Sequence, residues 1–325
     1  MKLNILSKII FAILLAFTVN SFVYFGFANI YSSTIFNYEN FHEQFNSGIY
    51  QYRILSSYFF VWVYDFLSFL NVDYQVFKLK FINPNSEPQM YLSFYILNTF
   101  FMVLSAIMLV LITDSKNFIA TSAEKILIVA ISLFSIALST FVIVPYDVSS
   151  YFFILVFFYF MLQYLQKQSI LLLVLLSIII ILSTFNRESS ALSLSLAATL
   201  LYSKFGLKKE TIVPIVVLGL SFLGVYLGLR LISENFTTND GNLLVQNFTQ
   251  PKNLLGLLFW LVFFGFTLML AKDKKALNHI LLFHLLSFPY LFLCVYTGIL
   301  YEIRLYIPLL LTSLLLSKTD FSRID

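Results

Sequence analysis

The chain has 325 residues, 60% of them hydrophobic and only 11% charged, against about 25% charged in soluble globular proteins. Its net charge of +4 comes from 20 Lys and Arg against 16 Asp and Glu, with no basic tract of the kind that grips nucleic acid, and its one cysteine, Cys294, excludes a disulfide framework and a thiolate metal site. Leu, Ile, Val and Phe come in long runs rather than alternating with polar residues, which excludes a β-barrel and points to an all-α integral membrane protein.

Met1 to Asn29 carries Lys2 and Lys8 before an apolar stretch that is too long and too aromatic near its end for a cleaved signal peptide and reads as a retained first helix. About ten transmembrane helices are expected, near 5–29, 90–113, 126–144, 150–166, 169–185, 189–203, 211–232, 254–271, 278–298 and 303–317. With the N-terminus inside, 13 of the 20 cations fall on the inner side; the reverse orientation inverts that ratio. Both termini are then cytoplasmic, and residues 1–325 form a single polytopic domain. Its outer side carries a long loop, 30–89, a moderate one, 233–253, and tight turns at 145–149, 186–188 and 299–302.

Within the long loop, Gln51 to Leu70 is apolar enough to pass for another span. Arg53, Ser57, Tyr64 and Ser68 nevertheless recur on one helical face, with Asp65 at its edge. This pattern predicts an interfacial helix over 51–70, because a true span here would put every later lysine loop on the wrong side. Asn83 to Pro88 then makes a turn.

Cations sort unequally between the two sides. Most lysines are inside, as topogenesis dictates, but Arg53, Arg187, Arg230 and Arg304 lie at the outer mouths of helices and only Arg323 lies inside. Arginine's planar fork grips phosphate and carboxylate at two points, so the outer face is expected to bind an anion at membrane depth. Arg187 and Glu188, in Thr184 to Ser190, join two apolar segments almost without a loop and are expected to face the bundle; adjacent on a helix, they need not pair with each other. Glu302 and Arg304 are two residues apart, so each is expected to find its partner elsewhere. Asp147 in Pro145 to Ser149 is either a helix cap or a carboxylate aimed at the arginines. Arg53 and Arg230 have a plainer alternative, snorkelling to headgroups, and Tyr301 and Tyr306 a belt role.

Tyr38 to Gln44 supplies the only outer histidine, His42, with Glu39 and Glu43, which suits acid/base work or a divalent cation; spacing alone leaves a solvated loop equally open. His279 and His284, on the inner half of the ninth span, receive no role. Asn235 and Asn247 begin Asn-x-Thr sequons.

The ordered set Tyr52-Arg53-Ile54-Leu55, Tyr146-Asp147, Asn186-Arg187-Glu188-Ser189 and Glu302-x-Arg304 before Pro308 resembles a loose group of bacterial polytopic proteins of surface-polysaccharide assembly, related to EpsG and Wzy-type (O-antigen) polymerases and GT-C glycosyltransferases. The resemblance implies a GT-C-like fold in the bacterial inner membrane. It also implies transfer of sugar or oligosaccharide from a polyprenyl phosphate or pyrophosphate donor to a glycan or lipid acceptor at the outer face. Arg53, Arg187, Glu188, Arg230, Glu302 and Arg304 would then hold the substrate, and Glu39, Glu43 or Asp147 would serve as base. A flippase of a lipid-linked or anionic substrate also predicts buried arginines, but favours repeats and charge in both leaflets, which this chain lacks. A non-catalytic membrane subunit whose arginines bind lipids or a partner is the third possibility.

Overall fold

The structure of the protein, a computed structural model, describes residues 4–27, 30–233, 236 and 241–320, and of residues 76 and 77 the backbone alone; Lys2, Asn235 and Arg323 lie outside them. Among the described residues every regular element is helical. Fourteen α-helices follow in order: α1 (Ile5–Gly26), α2 (Tyr38–Phe45), α3 (Ile54–Leu70), α4 (Pro88–Thr113), α5 (Ser122–Ser139), α6 (Asp147–Lys167), α7 (Ile170–Asn186), α8 (Ala191–Phe205), α9 (Lys209–Ile232), α10 (Leu244–Thr249), α11 (Pro251–Met269), α12 (Lys274–Leu286), α13 (Phe288–Thr297) and α14 (Ile307–Lys318). In hydrocarbon each backbone polar group must be satisfied within its own segment, so long apolar runs fold as helices regardless of propensity. The boundaries follow local chemistry. Asn4, Thr121 and Asp273 cap the starts of α1, α5 and α12 through their side chains, and prolines open α4, α11 and α14.

Six helices (α1, α4, α5, α6, α9 and α11) are long and apolar enough to cross a membrane. The expected ninth span is instead two helices, α12 and α13, meeting at 50°. Pro289 explains the break, since its ring lacks the N–H that would continue the ladder. The fifth, sixth and tenth expected spans are the shorter helices α7, α8 and α14, of 17, 15 and 12 residues.

α14, the last of these, is buried from Ile307 to Ser317 and packs against α5, α6, α8, α11 and α12. At about 1.5 Å per residue it is only about 18 Å long. A 3-10 turn over Ile303–Leu305 prolongs it at one end, and an isolated antiparallel bridge between Phe118 and Thr319 at the other.

The two ends of the bundle differ in chemistry. At one, lysines pair with acids: Lys8 with Asp114 at 2.6 Å, Lys318 with Glu124 at 2.8 Å and Lys272 with Asp320 at 3.1 Å. At the other end lie Arg53, Arg187, Arg230 and Arg304. This separation agrees with the sidedness expected from the sequence.

α3 lies across the arginine end. Its first turns bond to the neighbouring tips of α6 and α7, through Ser56 to Ser149 and Asn186. Its last turns bond to the start of α4: the Tyr64 hydroxyl donates to Glu87 Oε2 at 2.9 Å, and Gln89 bonds Ser68 and the Tyr64 carbonyl. Both ends of the helix therefore meet the same end of the bundle. Tyr58, Phe59, Trp62, Phe66 and Phe69 form its exposed apolar side.

Sidedness is directly testable because Cys294, the only cysteine, is buried. Replaced by alanine, it leaves a background in which exposed Glu43→Cys and Lys116→Cys should react with a membrane-impermeant maleimide from opposite sides of the membrane. Labelling of both from one side would contradict the two-ended bundle.

Candidate functional site

Five separate segments bring charge to the arginine end. Arg53 ends the 3-10 turn before α3, Asp147 opens α6, Arg187 and Glu188 fill the junction of α7 and α8, Arg230 lies in the last turn of α9, and Glu302 and Arg304 precede α14. The four arginines are 1–8% exposed. Burying a guanidinium is strongly unfavourable unless it is paired and hydrogen-bonded, and here each is.

The pairing is shared. Asp147 holds two arginines: Arg187 Nη1 donates to its Oδ1, and Arg304 Nη1 to its Oδ2 at 3.0 Å. Glu188 lies between two others, with Arg53 Nε donating to Oε2 at 3.1 Å and Arg230 Nη2 3.6 Å from Oε1. Glu302 accepts from Arg304 Nη2 at 2.6 Å and from the Tyr31 hydroxyl at 3.0 Å. Four guanidiniums thus face three carboxylates among the described residues. Burial alone would raise the Glu188 carboxyl, but Arg53, a backbone hydrogen bond, Arg187 and Arg230 together more than offset this, so its pKa is lowered and the group is ionised. Its side chain, a quarter exposed, is the most accessible member.

Aromatic rings complete the lining. Arg53 lies 4.5 Å over the Tyr146 ring and 5.1 Å over Tyr50, while Arg230 is stacked between Tyr226 at 3.7 Å and Tyr52 at 4.3 Å. Arg230 therefore does not snorkel; it is 1% exposed and donates Nη1 to the Tyr226 carbonyl at 3.1 Å.

Three expectations are corrected here. Glu302 and Arg304 do pair with each other, because the chain turns through a 3-10 segment at Ile303–Leu305 and an extended Glu302 folds back onto its second neighbour, a geometry an α-helix forbids. Asp147 is not a helix cap: it is the first residue of α6, and both its oxygens are engaged by arginines. A carboxylate so occupied holds guanidiniums in place. Glu39 and Glu43 are exposed on α2 and make no ion pair among the described residues, so the structure does not bring them to the arginines. His42 is exposed on the same helix, stacked on Tyr38, and among the described residues no three His, Cys, Asp or Glu side chains converge as a metal site requires. His279 and His284 are buried in α12, His284 packed 4.4 Å from the Phe264 ring.

Several contributors were not singled out from sequence. Asn186 donates to the Tyr146 carbonyl at 3.0 Å and accepts from Ser149 at 2.9 Å, tying the tips of α6 and α7 together. Gly256 in α11 lies directly against the 299–302 turn, and a Cβ there would stand 1.6 Å from the Leu300 carbonyl oxygen. Asn247, read as a sequon, is 1% exposed. It donates to the carbonyls of Val295 at 2.9 Å and Gly298 at 2.7 Å and accepts from Asn253 at 3.1 Å. Its amide is committed to shaping the same turn and is not presented for glycosylation. Asparagine and glycine in a polar loop carry no signal of such roles, whereas the arginines did.

No protein-family model matches the chain, and no curated protein or solved structure matches it.

Asp147→Ala would strip buried Arg187 of its carboxylate and Arg304 of one of its two, and should cost about 3–5 kcal/mol, measured as a fall in thermal midpoint or loss of the monodisperse fraction in detergent. Gly256→Ala should destabilise by about 1–3 kcal/mol through overlap with the Leu300 carbonyl, while Gly265→Ala, with open space around it, should be neutral or stabilising.

Proposed function

We propose that the protein is a ten-span, GT-C-like glycosyltransferase or polysaccharide polymerase of the bacterial inner membrane, both termini cytoplasmic, acting on a polyprenyl phosphate- or pyrophosphate-linked donor at the outer face. The observation that carries this reading is the cluster of four buried arginines against three carboxylates at the end of the bundle remote from the lysine pairs. A lipid-linked phosphate carries its charge just beneath the headgroups. Guanidinium contacts there are two-point and weakly screened by solvent. α3, with one apolar side exposed, would border a route from the lipid to this cluster.

The reaction transfers the sugar's anomeric carbon from the phosphate oxygen to an acceptor hydroxyl. The new C–O bond forms as the bond to phosphate breaks, and the carrier departs with added negative charge. Arginines fixed in advance stabilise that charge without reorganising. The acceptor's proton passes to a carboxylate or to the departing phosphate. Glu188, ionised and the most accessible acid of the cluster, is placed better for orienting that hydroxyl than Glu39, Glu43 or Asp147.

In a deletion strain of the native host, long-chain surface glycan should be lost and carrier-linked intermediates should accumulate. Single repeat units would indicate a polymerase, and a truncated carrier-linked glycan a transferase. An unchanged glycan profile would end the polysaccharide reading. Arg187→Lys should fail to restore the wild-type profile at unchanged protein level, because an ammonium cannot reproduce the two-point contact.

A further inference from the structure

The four arginines are not equally committed. Arg304 has every nitrogen engaged: Nε and Nη2 on Glu302, Nη1 on Asp147. Arg230 is enclosed between two tyrosine rings, with Nη1 on a carbonyl and Nη2 facing Glu188. Arg53 differs. It spends only Nε on Glu188, and among the described residues its two terminal nitrogens make no hydrogen bond. Arg187 likewise commits only Nη1, to Asp147.

Between Arg53 and Arg187 lies Tyr146, whose ring is 4.5 Å from one guanidinium and 5.8 Å from the other. The residue is 3% exposed, and its hydroxyl is buried with no hydrogen-bond partner among the described residues. That hydroxyl is within electrostatic reach of Arg53, Arg304 and Asp147, so it belongs to the cluster and not to the apolar core. A buried hydroxyl left without a partner is destabilising, and such groups in folded proteins call for an explanation. Phosphate supplies what this one lacks, an anionic oxygen acceptor, beside a ring that two guanidiniums with unspent donors approach.

We infer that Tyr146, Arg53 and Arg187 form the face that receives a phosphate or pyrophosphate group, Tyr146 donating its hydroxyl to a phosphate oxygen, while Arg230 and Arg304 hold the scaffold. The inference rests on the anion-binding reading above and names the side chains that make the contact.

The test uses full-length protein in detergent, with thermal unfolding followed against inorganic pyrophosphate and, separately, a short-chain isoprenyl pyrophosphate. Wild type should be stabilised by the isoprenyl form; stabilisation by the inorganic form as well would place the recognition in the phosphates alone. Tyr146→Phe retains the ring and should unfold at the wild-type temperature or higher without ligand, yet need about tenfold more of either probe for the same stabilisation. Arg230→Lys should instead lower the ligand-free midpoint. Equal half-saturation of Tyr146→Phe and wild type would overturn the inference while leaving the anion site standing. A lowered ligand-free midpoint in Tyr146→Phe would also overturn it, since the hydroxyl would then have a partner in the fold. No response of wild type to either probe would remove the anion-binding reading and this inference with it.

Discussion

A guanidinium taken out of water must bring its counter-charge with it. Four do so at one end of this bundle, and the arrangement of the surrounding chain follows. Asp147 bridges α6 to the α7–α8 junction and to the segment before α14; Glu188 bridges that junction to α9 and to the start of α3. Because two carboxylates each serve two arginines, no helix tip in the set can shift without unpairing a buried charge elsewhere. The lysine end is built differently. Its pairs, Lys8 and Lys125 on Asp114 and Lys318 on Glu124, are partly exposed, so solvent weakens each of them.

The contrast suits the one-sided chemistry proposed above. On that reading the lysines keep the topology, and the arginines make a preorganised electrostatic surface. Neutral lining residues refine it: Asn186 fixes the tips of α6 and α7, Asn247 and Gly256 set the turn that carries Glu302, and Tyr31 reaches from beyond α1 to the same acid.

Much of this was legible in the sequence. The separation of Arg from Lys required only their positions and a count of apolar runs, and the polar stripe of α3 marked it as a helix lying across an end. What was not legible depended on backbone geometry. Glu302 and Arg304 look badly spaced for each other until a 3-10 turn brings them together, and Asp147 looks like a cap until α7 and α14 bring arginines to both its oxygens. Glu39 and Glu43 stood near the first helix in sequence, but α2 holds them on its exposed side. α12 and α13 read as one span because hydropathy averages across a break that Pro289 makes.

The long reach of these ion pairs bears on how the protein is made. Arg53 waits 135 residues for Glu188, and Asp147 waits 157 for Arg304. At roughly 5–20 residues per second, on the order of ten seconds or more separates the synthesis of the two members of each of these pairs. The cluster therefore closes only when the segment before α14 docks. A chain truncated before Arg304 would leave Asp147 paired with Arg187 alone, its Oδ2 without a guanidinium, so the tips of α6, α7 and α14 are locked together only by a finished chain.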